Sequence, residues 1–254
     1  HITHGKRLGD IDTIDDVKEY APHLLPKLPL ISIIIPVYYE DEMLIHTIDT
    51  LRDNATHNDF EIIIIDTHAL TTINRLPIED VRTGVASKGR ASQMNEGARM
   101  AQSNILVFLH ADTMLPKAWD TLIEEALHKH QAGAFSLGIN DTRYVFRFIE
   151  TLANIRTKIT RIPYGDQAHF FTASFFRELE SYMEIPLMED VEIMSRIKKQ
   201  GKQIALLKPK VLTSSRRWEK EGIVYTTLRN RFLSFLYTCG VSSKHLVKCY
   251  KTHR

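Results

Sequence analysis

Short apolar runs alternate with amphipathic segments through the first half of this chain. Residues 30–37, 60–65 and 105–109 are almost wholly apolar, and each run gives way to polar residues, as in strands buried on both faces. Between the runs, apolar residues recur every three or four positions, which is the spacing of a helix with one buried face. This alternation predicts an α/β domain with a mostly parallel sheet flanked by helices.

The pattern loosens after residue 130. It predicts strands at 132–139 and 204–211 (the second interrupted by Pro209), a turn leading into a strand at 165–171, and helices at 144–159, 189–200 and 222–238. Residues 1–30 are polar and end with spaced prolines, which is typical of a linker. Within them GDIDTIDDVKEY resembles the closing motif of nucleotidyltransferase-like domains, and a plain helix capped by Thr13 fits equally well. We therefore expect an extension, 1–30, and one domain, 31–254.

Charge is distributed unevenly along a chain whose net charge is only +2. From Arg216 onward nine Lys and Arg stand against two Glu, so this segment carries the excess. Its helix at 222–238 is amphipathic and basic, and it either packs on the domain or rests on an anionic membrane surface. No strong charge excess calls for a nucleic acid partner. Two cysteines and no apolar stretch long enough to span a bilayer favour a cytoplasmic protein.

The clearest chemical signal lies in NILVFLHADTMLP, residues 104–116. His110 and Asp112 follow a buried strand, and residues two apart in an extended segment point to the same side. An imidazole and a carboxylate that converge there suit a divalent metal carrying phosphate oxygens. A plain strand end with a turn aspartate fits this short motif equally well.

Acidic residues follow three of the predicted parallel strands. Glu40, Asp66 and Asp112 would ring one crevice, because the carboxyl ends of such strands are neighbours. Lys88 and Arg90 could offset the charge of a bound phosphate there. Each acid alone is more often a cap or a turn former, so the three equivalent positions carry the prediction.

Two more clusters lie in the second half. Glu189 and Asp190 open a helix, where acids are favoured by the helix dipole and where one could also act as a general base. The turn with Asp166 and Gln167, and the cluster Arg216-Arg217-Trp218, could contact an acceptor or a diphosphate. A simple turn and a surface patch with one anchoring aromatic are the alternatives.

The collinear segments ISIIIPVYYE, EIIIID, KGRASQMNEGARMA, ILVFLHADT and PLMEDVEI resemble the family 2 glycosyltransferases of GT-A fold. The segments GRASQMNEGA, FLHADTMLP, YGDQAHFF, IPLMEDVEI and SSRRWE resemble, more narrowly, a bacterial subgroup often encoded beside radical-SAM or selenium-related proteins. The resemblance covers about residues 31–245. It implies an inverting, Mg²⁺- or Mn²⁺-assisted transfer of sugar from a UDP- or GDP-linked donor to an acceptor hydroxyl.

The resemblance also implies roles for individual residues. It makes 31–130 the nucleotide-binding half and 131–254 the acceptor half, which ends in amphipathic helices. Pro36, Tyr38, Glu40, Asp66, Lys88 and Arg90 would line the nucleotide pocket, and Asp112 with His110 would hold the metal. Asp190, with Glu189 beside it, would be the catalytic base. Asp166, Gln167, Arg216, Arg217 and Trp218 would contact acceptor or diphosphate.

Several positions depart from the family pattern. His110 replaces the first acid of the D-x-D motif, Tyr39 stands where Asn is usual, and Thr67-His68 follows Asp66 instead of Gly-Ser. Ser214 takes the place of the Gln of Q-x-x-R-W. Two other functions therefore stay open, a nucleotidyltransferase that attacks phosphorus and a nucleotide-sugar-binding protein without catalysis.

Overall fold

The computed structural model describes residues 29–40 and 42–249, so nearly all of the predicted extension lies outside the described residues. The described strands are β1 (Ile31–Pro36), β2 (Phe60–Thr67), β3 (Arg82–Ala86), β4 (Ile105–Phe108), β5 (Thr113–Met114), β6 (Ala132–Asn140), β7 (His169–Thr172) and β8 (Ala205–Ser214). The helices are α1 (Met43–Asp53), α2 (Arg90–Met100), α3 (Trp119–Leu127), α4 (Tyr144–Thr160), α5 (Ala173–Glu178), α6 (Glu189–Lys199), α7 (Arg216–Glu221), α8 (Ile223–Thr238) and α9 (Ser243–Cys249), with a 3-10 turn at Gly165–Gln167.

The strands form one sheet in the order β3-β2-β1-β4-β7-β6-β8-β5. The first four are mutually parallel, which confirms the prediction for the first half. The other half is mixed, since β7 runs antiparallel to β4 and β6, β8 runs parallel to β6, and β5 runs antiparallel to β8. The carboxyl ends of β2, β1 and β4 therefore lie side by side, and they are where the crevice predicted from the sequence should open.

Helices cover both faces of the sheet because the central strands are apolar on both sides. In β1, Ile33 and Ile35 belong to the same core cluster as Leu44 and Ile48 of α1, whereas Ile34 faces the cluster of α2. Each fully buried side chain of this size contributes about 1.5–3 kcal/mol. Helix α2 comes so close that a Cβ on Gly97 would lie 2.4 Å from Ile34 Cγ2.

Several elements after residue 110 differ from those predicted from the sequence. Strand β8 runs past its predicted end at residue 211 to Ser214, and Pro209 does not interrupt it, because a register shift between Phe135 and Ser136 leaves Pro209 in a bulge. Residues 216–238, at the start of the basic segment, form two helices, since Gly222 with φ +89° separates α7 from α8. Strand β5 and helices α5, α7 and α9 were not expected from the pattern, because each is only two to seven residues long.

Candidate functional site

One buried side chain of α2 forms hydrogen bonds with the ends of both β1 and β2. Gln93 of α2 donates through Nε2 to the carbonyl oxygens of Val37 and Ile65, both at 2.7 Å. Val37 directly follows β1 and Ile65 lies near the end of β2, so the two bonds hold these strand ends together. Gln93 was assigned no role of its own from the sequence. Its signal in the sequence is a polar residue on the side of a helix that is expected to be buried.

Asp66 lies beneath the crevice and is fully buried. Its carboxylate accepts four hydrogen bonds, from the backbone N–H groups of Thr67, Thr72 and Ile73 and from the Thr71 hydroxyl. The hydroxyls of Thr71 and Thr72 in turn accept the backbone N–H groups of Tyr39 and Glu40, at 3.0 and 3.1 Å. Asp66 thus shapes the loop that carries Glu40, and its contact with a nucleotide stays a prediction.

Two cationic side chains reach groups near the ends of β1 and β2. Lys88 donates to the Tyr38 hydroxyl at 2.8 Å. Arg216, at the start of α7, lies 3.8 Å from the carboxylate of Glu40. The structure therefore places Lys88 beside Tyr38 and Arg216 beside Glu40, and their task toward phosphate stays a prediction.

The acidic pair at the start of α6 is divided between core and crevice. Glu189 is buried, and its carboxylate meets the Arg90 guanidinium at 3.3 Å. Burial raises the pKa of Glu189, and the charge of Arg90 opposes that rise. Met188, which precedes the helix, adopts φ +71°, a conformation that costs a residue with a side chain about 1–3 kcal/mol. The strained backbone at Met188 thus lies directly before Glu189 and Asp190.

Asp190 is held in one rotamer by backbone donors. Its Oδ2 accepts the N–H of Gly165 at 2.7 Å, and its Oδ1 accepts the N–H of Val191 at 2.8 Å. The side chain remains half-buried. Each carboxylate oxygen has a second lone pair, so the group can still accept a proton or hydrogen bond from a bound molecule.

His110 and Asp190 flank the Gly165 backbone. A Cβ placed on Gly165 would lie 3.2 Å from His110 Nε2 and 3.3 Å from Asp190 Oδ2. A side chain at position 165 would therefore crowd both groups, and glycine allows their close approach to the backbone. This geometry brings together a residue predicted to bind metal and the residue predicted to be the base, which the spacing in the sequence did not indicate. Asp112 is half-buried, and its carbonyl oxygen accepts the N–H of Ser214 at 3.2 Å.

The turn at Gly165–Gln167 presents one of its two predicted contact residues to the site. Burial raises the pKa of Asp166 to about 6, and the negative charge of Asp190 adds to this, while Arg156, Arg90 and Arg217 oppose it. Gln167 instead points into the core, where its amide donates to Phe135 O at 2.9 Å and accepts from the Thr157 hydroxyl at 2.9 Å. The expectation that Gln167 contacts a substrate is thus corrected, because both ends of its buried amide are used within the fold.

Trp218 also serves the fold. Its ring packs edge-on against Phe146 with centroids 5.8 Å apart, and its indole N–H donates to the Thr227 hydroxyl at 3.2 Å. The alternative of an anchoring aromatic therefore describes Trp218 better than stacking on a ligand. Arg217 lies near enough to Asp166 to lower its pKa.

Two buried polar residues near Asp190 were not singled out in the sequence. His169 Nδ1 lies 3.3 Å from the Tyr182 hydroxyl, and its Nε2 lies 3.3 Å from Pro163 O. Burial lowers the pKa of His169 to about 4 against the opposing charge of Asp190, so this ring is neutral near pH 7. Burial raises the pKa of Tyr182, with the charge of Asp190 adding to it. Both residues form an uncharged wall on the inner side of the site.

The residues present suit a metal only in part. Within residues 29–40 and 42–249 there is no group of three or more His, Cys, Asp or Glu side chains able to hold an ion. The half-buried Asp112, which follows β4, offers a carboxylate at the same end of the sheet. Oxygen from a carboxylate and from a diphosphate is the donor set that Mg²⁺ or Mn²⁺ prefers. Such an ion would therefore bind together with a diphosphate.

Residues 32–185 match the model of a family described as "Glycosyl transferase family 2", and the match covers more than half of the sequence. The chain belongs to glycosyl transferase family 2. Membership in this family supports the expected enzyme class, that of a glycosyltransferase.

Individual relatives agree with this assignment. Validoxylamine A glucosyltransferase from Streptomyces hygroscopicus subsp. limoneus is 33% identical over 97 residues, which span 35% of this chain and 21% of that protein. Mannosyltransferase PcManGT from Pyrobaculum calidifontis, solved in complex with GDP-Man and Mn²⁺, has a TM-score of 0.55 at 20% identity and covers 74% of this chain and 57% of its own. S. aureus TarS 1-349 in complex with UDP-GlcNAc has a TM-score of 0.53 at 13% identity. The alignment covers 73% of this chain and 58% of the TarS chain.

These similarities confirm the GT-A fold expected for this transferase. The chain spans only about a fifth of the curated relative and less than two thirds of either solved structure. What the relatives bind therefore bears on this transferase only as a proposal.

Proposed function

We propose that this family 2 transferase moves a sugar, with inversion, from a UDP- or GDP-linked donor to an acceptor hydroxyl, and that Asp190 is its general base. The observation that carries this is the fixed, half-buried carboxylate of Asp190. It stands at the same end of the sheet as Glu40 and Asp112, where a donor would lie. We also propose that the chain belongs to the bacterial subgroup often encoded beside radical-SAM or selenium-related proteins, on the resemblance of its sequence segments alone.

The donor is proposed to lie along the ends of β1, β2 and β4. Pro36, Tyr38 and Glu40 would border the nucleotide, over the loop that Asp66 holds in place. Lys88, Arg90 and Arg216 would stand near the diphosphate, since all three already reach groups at this edge. PcManGT was solved with GDP-Man and TarS with UDP-GlcNAc, and this supports a nucleotide sugar without choosing the base.

The chemistry follows from the placement of Asp190. The carboxylate takes the proton of the acceptor hydroxyl while the acceptor oxygen bonds to the anomeric carbon, and the bond from that carbon to the diphosphate breaks. Basic side chains compensate the charge that develops on the leaving diphosphate. A Mg²⁺ or Mn²⁺ ion held by Asp112 would add Lewis-acid stabilisation there.

His110 has a different proposed task from the one its motif implies. Its Nε2 lies against Gly165, on the side of Asp190. We therefore propose that His110 contacts the acceptor or the transferred sugar, and that Asp112 supplies the protein's carboxylate to the metal. Metal binding by His110 is the alternative that the sequence favoured.

A thermal-shift panel of nucleotide sugars, each with and without Mn²⁺, tests the proposal. At least one UDP- or GDP-sugar should raise the melting temperature, because a ligand that binds only the folded state stabilises it. Asp190→Asn should keep that shift and lose turnover. If Asp190→Asn turns over normally, the base is another residue. If the wild type binds a donor but never transfers or hydrolyses it, the non-catalytic binding protein is the better description.

A further inference from the structure

Two helices of the acceptor half expose an unusual amount of apolar surface. Of fifteen large apolar side chains that are exposed in the described part of the chain, ten lie on α4 and α8. Tyr144 is 90% exposed, Ile159 75% and Val224 70%. Single exposed apolar residues are ordinary, but a concentration of this kind marks an interaction surface.

The exposed residues form a stripe on each helix. On α4 the stripe runs through Tyr144, Phe148, Ile155 and Ile159, at spacings of four, seven and four residues, opposite the buried Phe146. Residues so spaced share one helix face. We call this the α4 stripe.

The second stripe, the α8 stripe, contains Val224, Leu228, Phe232 and Phe235 and lies opposite the buried Thr226 and Leu233. The sequence left two places for this helix, on the domain or on a membrane. In the structure these four apolar residues face away from the domain.

The two helices are joined near both ends. Phe146 of α4 packs against Trp218, and Ile223, the first residue of α8, adjoins the same cluster. At the other end the Tyr164 hydroxyl donates to Ser234 Oγ at 2.5 Å. The Arg156 guanidinium of α4 stacks 3.3 Å over the Tyr164 ring. Tyr164 immediately precedes the turn that holds Asp190, so both helices border the acceptor side of the site.

Charge on the two helices has one sign at the surface. The single acid in residues 144–160 and 223–238 is Glu150, which is buried and paired with Arg147 and Lys210. Lys158 and Arg231 are exposed. Arg229 is not exposed, because it forms a buried ion pair with Glu221 at 2.5 Å. The exposed charge on both helices is therefore cationic.

We propose that the α4 and α8 stripes dock on an anionic lipid bilayer. Aromatic and aliphatic side chains enter the headgroup boundary, while neighbouring cations meet anionic headgroups. A second copy of the chain is a poorer occupant, because pairing through the same faces would bring cations together with no exposed acid on either helix to oppose them. No helix in the described ranges is long and apolar enough to cross a membrane, and surface docking needs none. The proposal rests on the proposed function only in assigning this side to the acceptor.

Co-sedimentation with vesicles tests the proposal. The chain should bind vesicles of phosphatidylcholine with 30% phosphatidylglycerol and bind pure phosphatidylcholine at least about tenfold more weakly. Phe232→Ser with Phe235→Ser should weaken binding at least about tenfold, because two rings that would be buried in the headgroup boundary are lost. Phe148→Ser should weaken it about tenfold, which tests α4 independently. Arg231→Glu should weaken binding to anionic vesicles about fivefold or more.

Met183→Ser is the matched control, since Met183 is 50% exposed but lies outside both stripes; it should bind like the wild type. Equal melting temperatures would show that each variant folds. Vesicle binding that is absent at low salt, or unchanged both in the two stripe variants and in Arg231→Glu, overturns the proposal. So does a dimer in light scattering that the same variants dissolve, because the surface would then join two copies. Donor-induced thermal shifts, measured without vesicles, report on the proposed function separately.

Discussion

Replacing Gly165 by alanine should lower turnover without unfolding the protein. The added methyl carbon would lie 3.2 Å from His110 Nε2, 3.3 Å from Asp190 Oδ2 and 3.5 Å from Asp190 Cβ. The first two distances are shorter than an ordinary contact by a few tenths of an ångström, so His110, Asp190 or both must move by about that much. Gly165 does not occupy the left-handed region of φ, so alanine itself adds no backbone strain there.

The size of both effects follows from this geometry. A misplacement of about 1 Å can cost on the order of 100-fold in rate, so a shift of a few tenths predicts a loss of kcat of roughly three- to tenfold. Alanine also restricts the unfolded chain, which stabilises a protein by about 0.4–1 kcal/mol. The two tight contacts offset that gain. We expect the free energy of unfolding to stay within about 0.5 kcal/mol of the wild type.

The assay is the rate of nucleoside diphosphate release from the donor that gives the largest thermal shift, together with urea unfolding. Gly97→Ala is the control with the opposite profile. Its methyl would lie 2.4 Å from Ile34 Cγ2 and 3.2 Å from Ile65 Cγ1 in the core, and such overpacking costs about 1–3 kcal/mol. That variant should be less stable with nearly normal kcat. If Gly165→Ala keeps the wild-type kcat, the close approach of His110 and Asp190 has no part in catalysis.

Three other changes test separate parts of the site. Arg90→Met should destabilise the fold by about 2 kcal/mol at pH 7, less than the 3–5 kcal/mol of a fully buried pair because Arg90 is 29% exposed. Adding Glu189→Gln should recover at least half of that loss in urea unfolding, and no recovery would mean that the pair is not the cause. The folded protein binds the Asp166 proton more tightly than the unfolded chain, because burial raises the pKa from 3.8 to about 6. The wild type should therefore lose stability relative to Asp166→Asn as the pH rises from about 4 to 6, and a parallel pair of stability curves would contradict this. Asp112→Asn should abolish the extra thermal shift that Mn²⁺ gives with nucleotide, and the wild type should show no Mn²⁺ shift without nucleotide; a shift by Mn²⁺ alone would reveal a metal site formed by protein groups.

The strand ends at this edge of the sheet could be predicted from the sequence, because each buried strand is recognised from a short run of neighbouring residues. The isoleucine-rich runs of β1 and β2 identify buried strands, and parallel strands place their following residues at one edge. Glu40, Asp66 and Asp112 could be assigned to that edge for this reason.

The inner arrangement of the site could not be predicted in the same way. Asp66 turns inward because the loop after it folds back and supplies four donors. Gln167 enters the core because α4 and β6 offer it partners. The meeting of His110 and Asp190 across Gly165 depends on three segments far apart in the chain. Periodicity records which residues are buried, but it does not record these partners.

The chemical outcome at the anomeric carbon tests the central claim most directly. The wild type should be incubated with Mn²⁺ and the α-linked nucleotide sugar that gives the largest thermal shift, with water as acceptor where no other is known. Early ³¹P spectra should show free nucleoside diphosphate, early ¹H spectra should show the β-anomer of the released sugar, and Asp190→Asn should give neither. Sugar 1-phosphate together with nucleoside monophosphate or a nucleotidyl product would indicate attack on phosphorus, and an α-anomer formed first would contradict inversion.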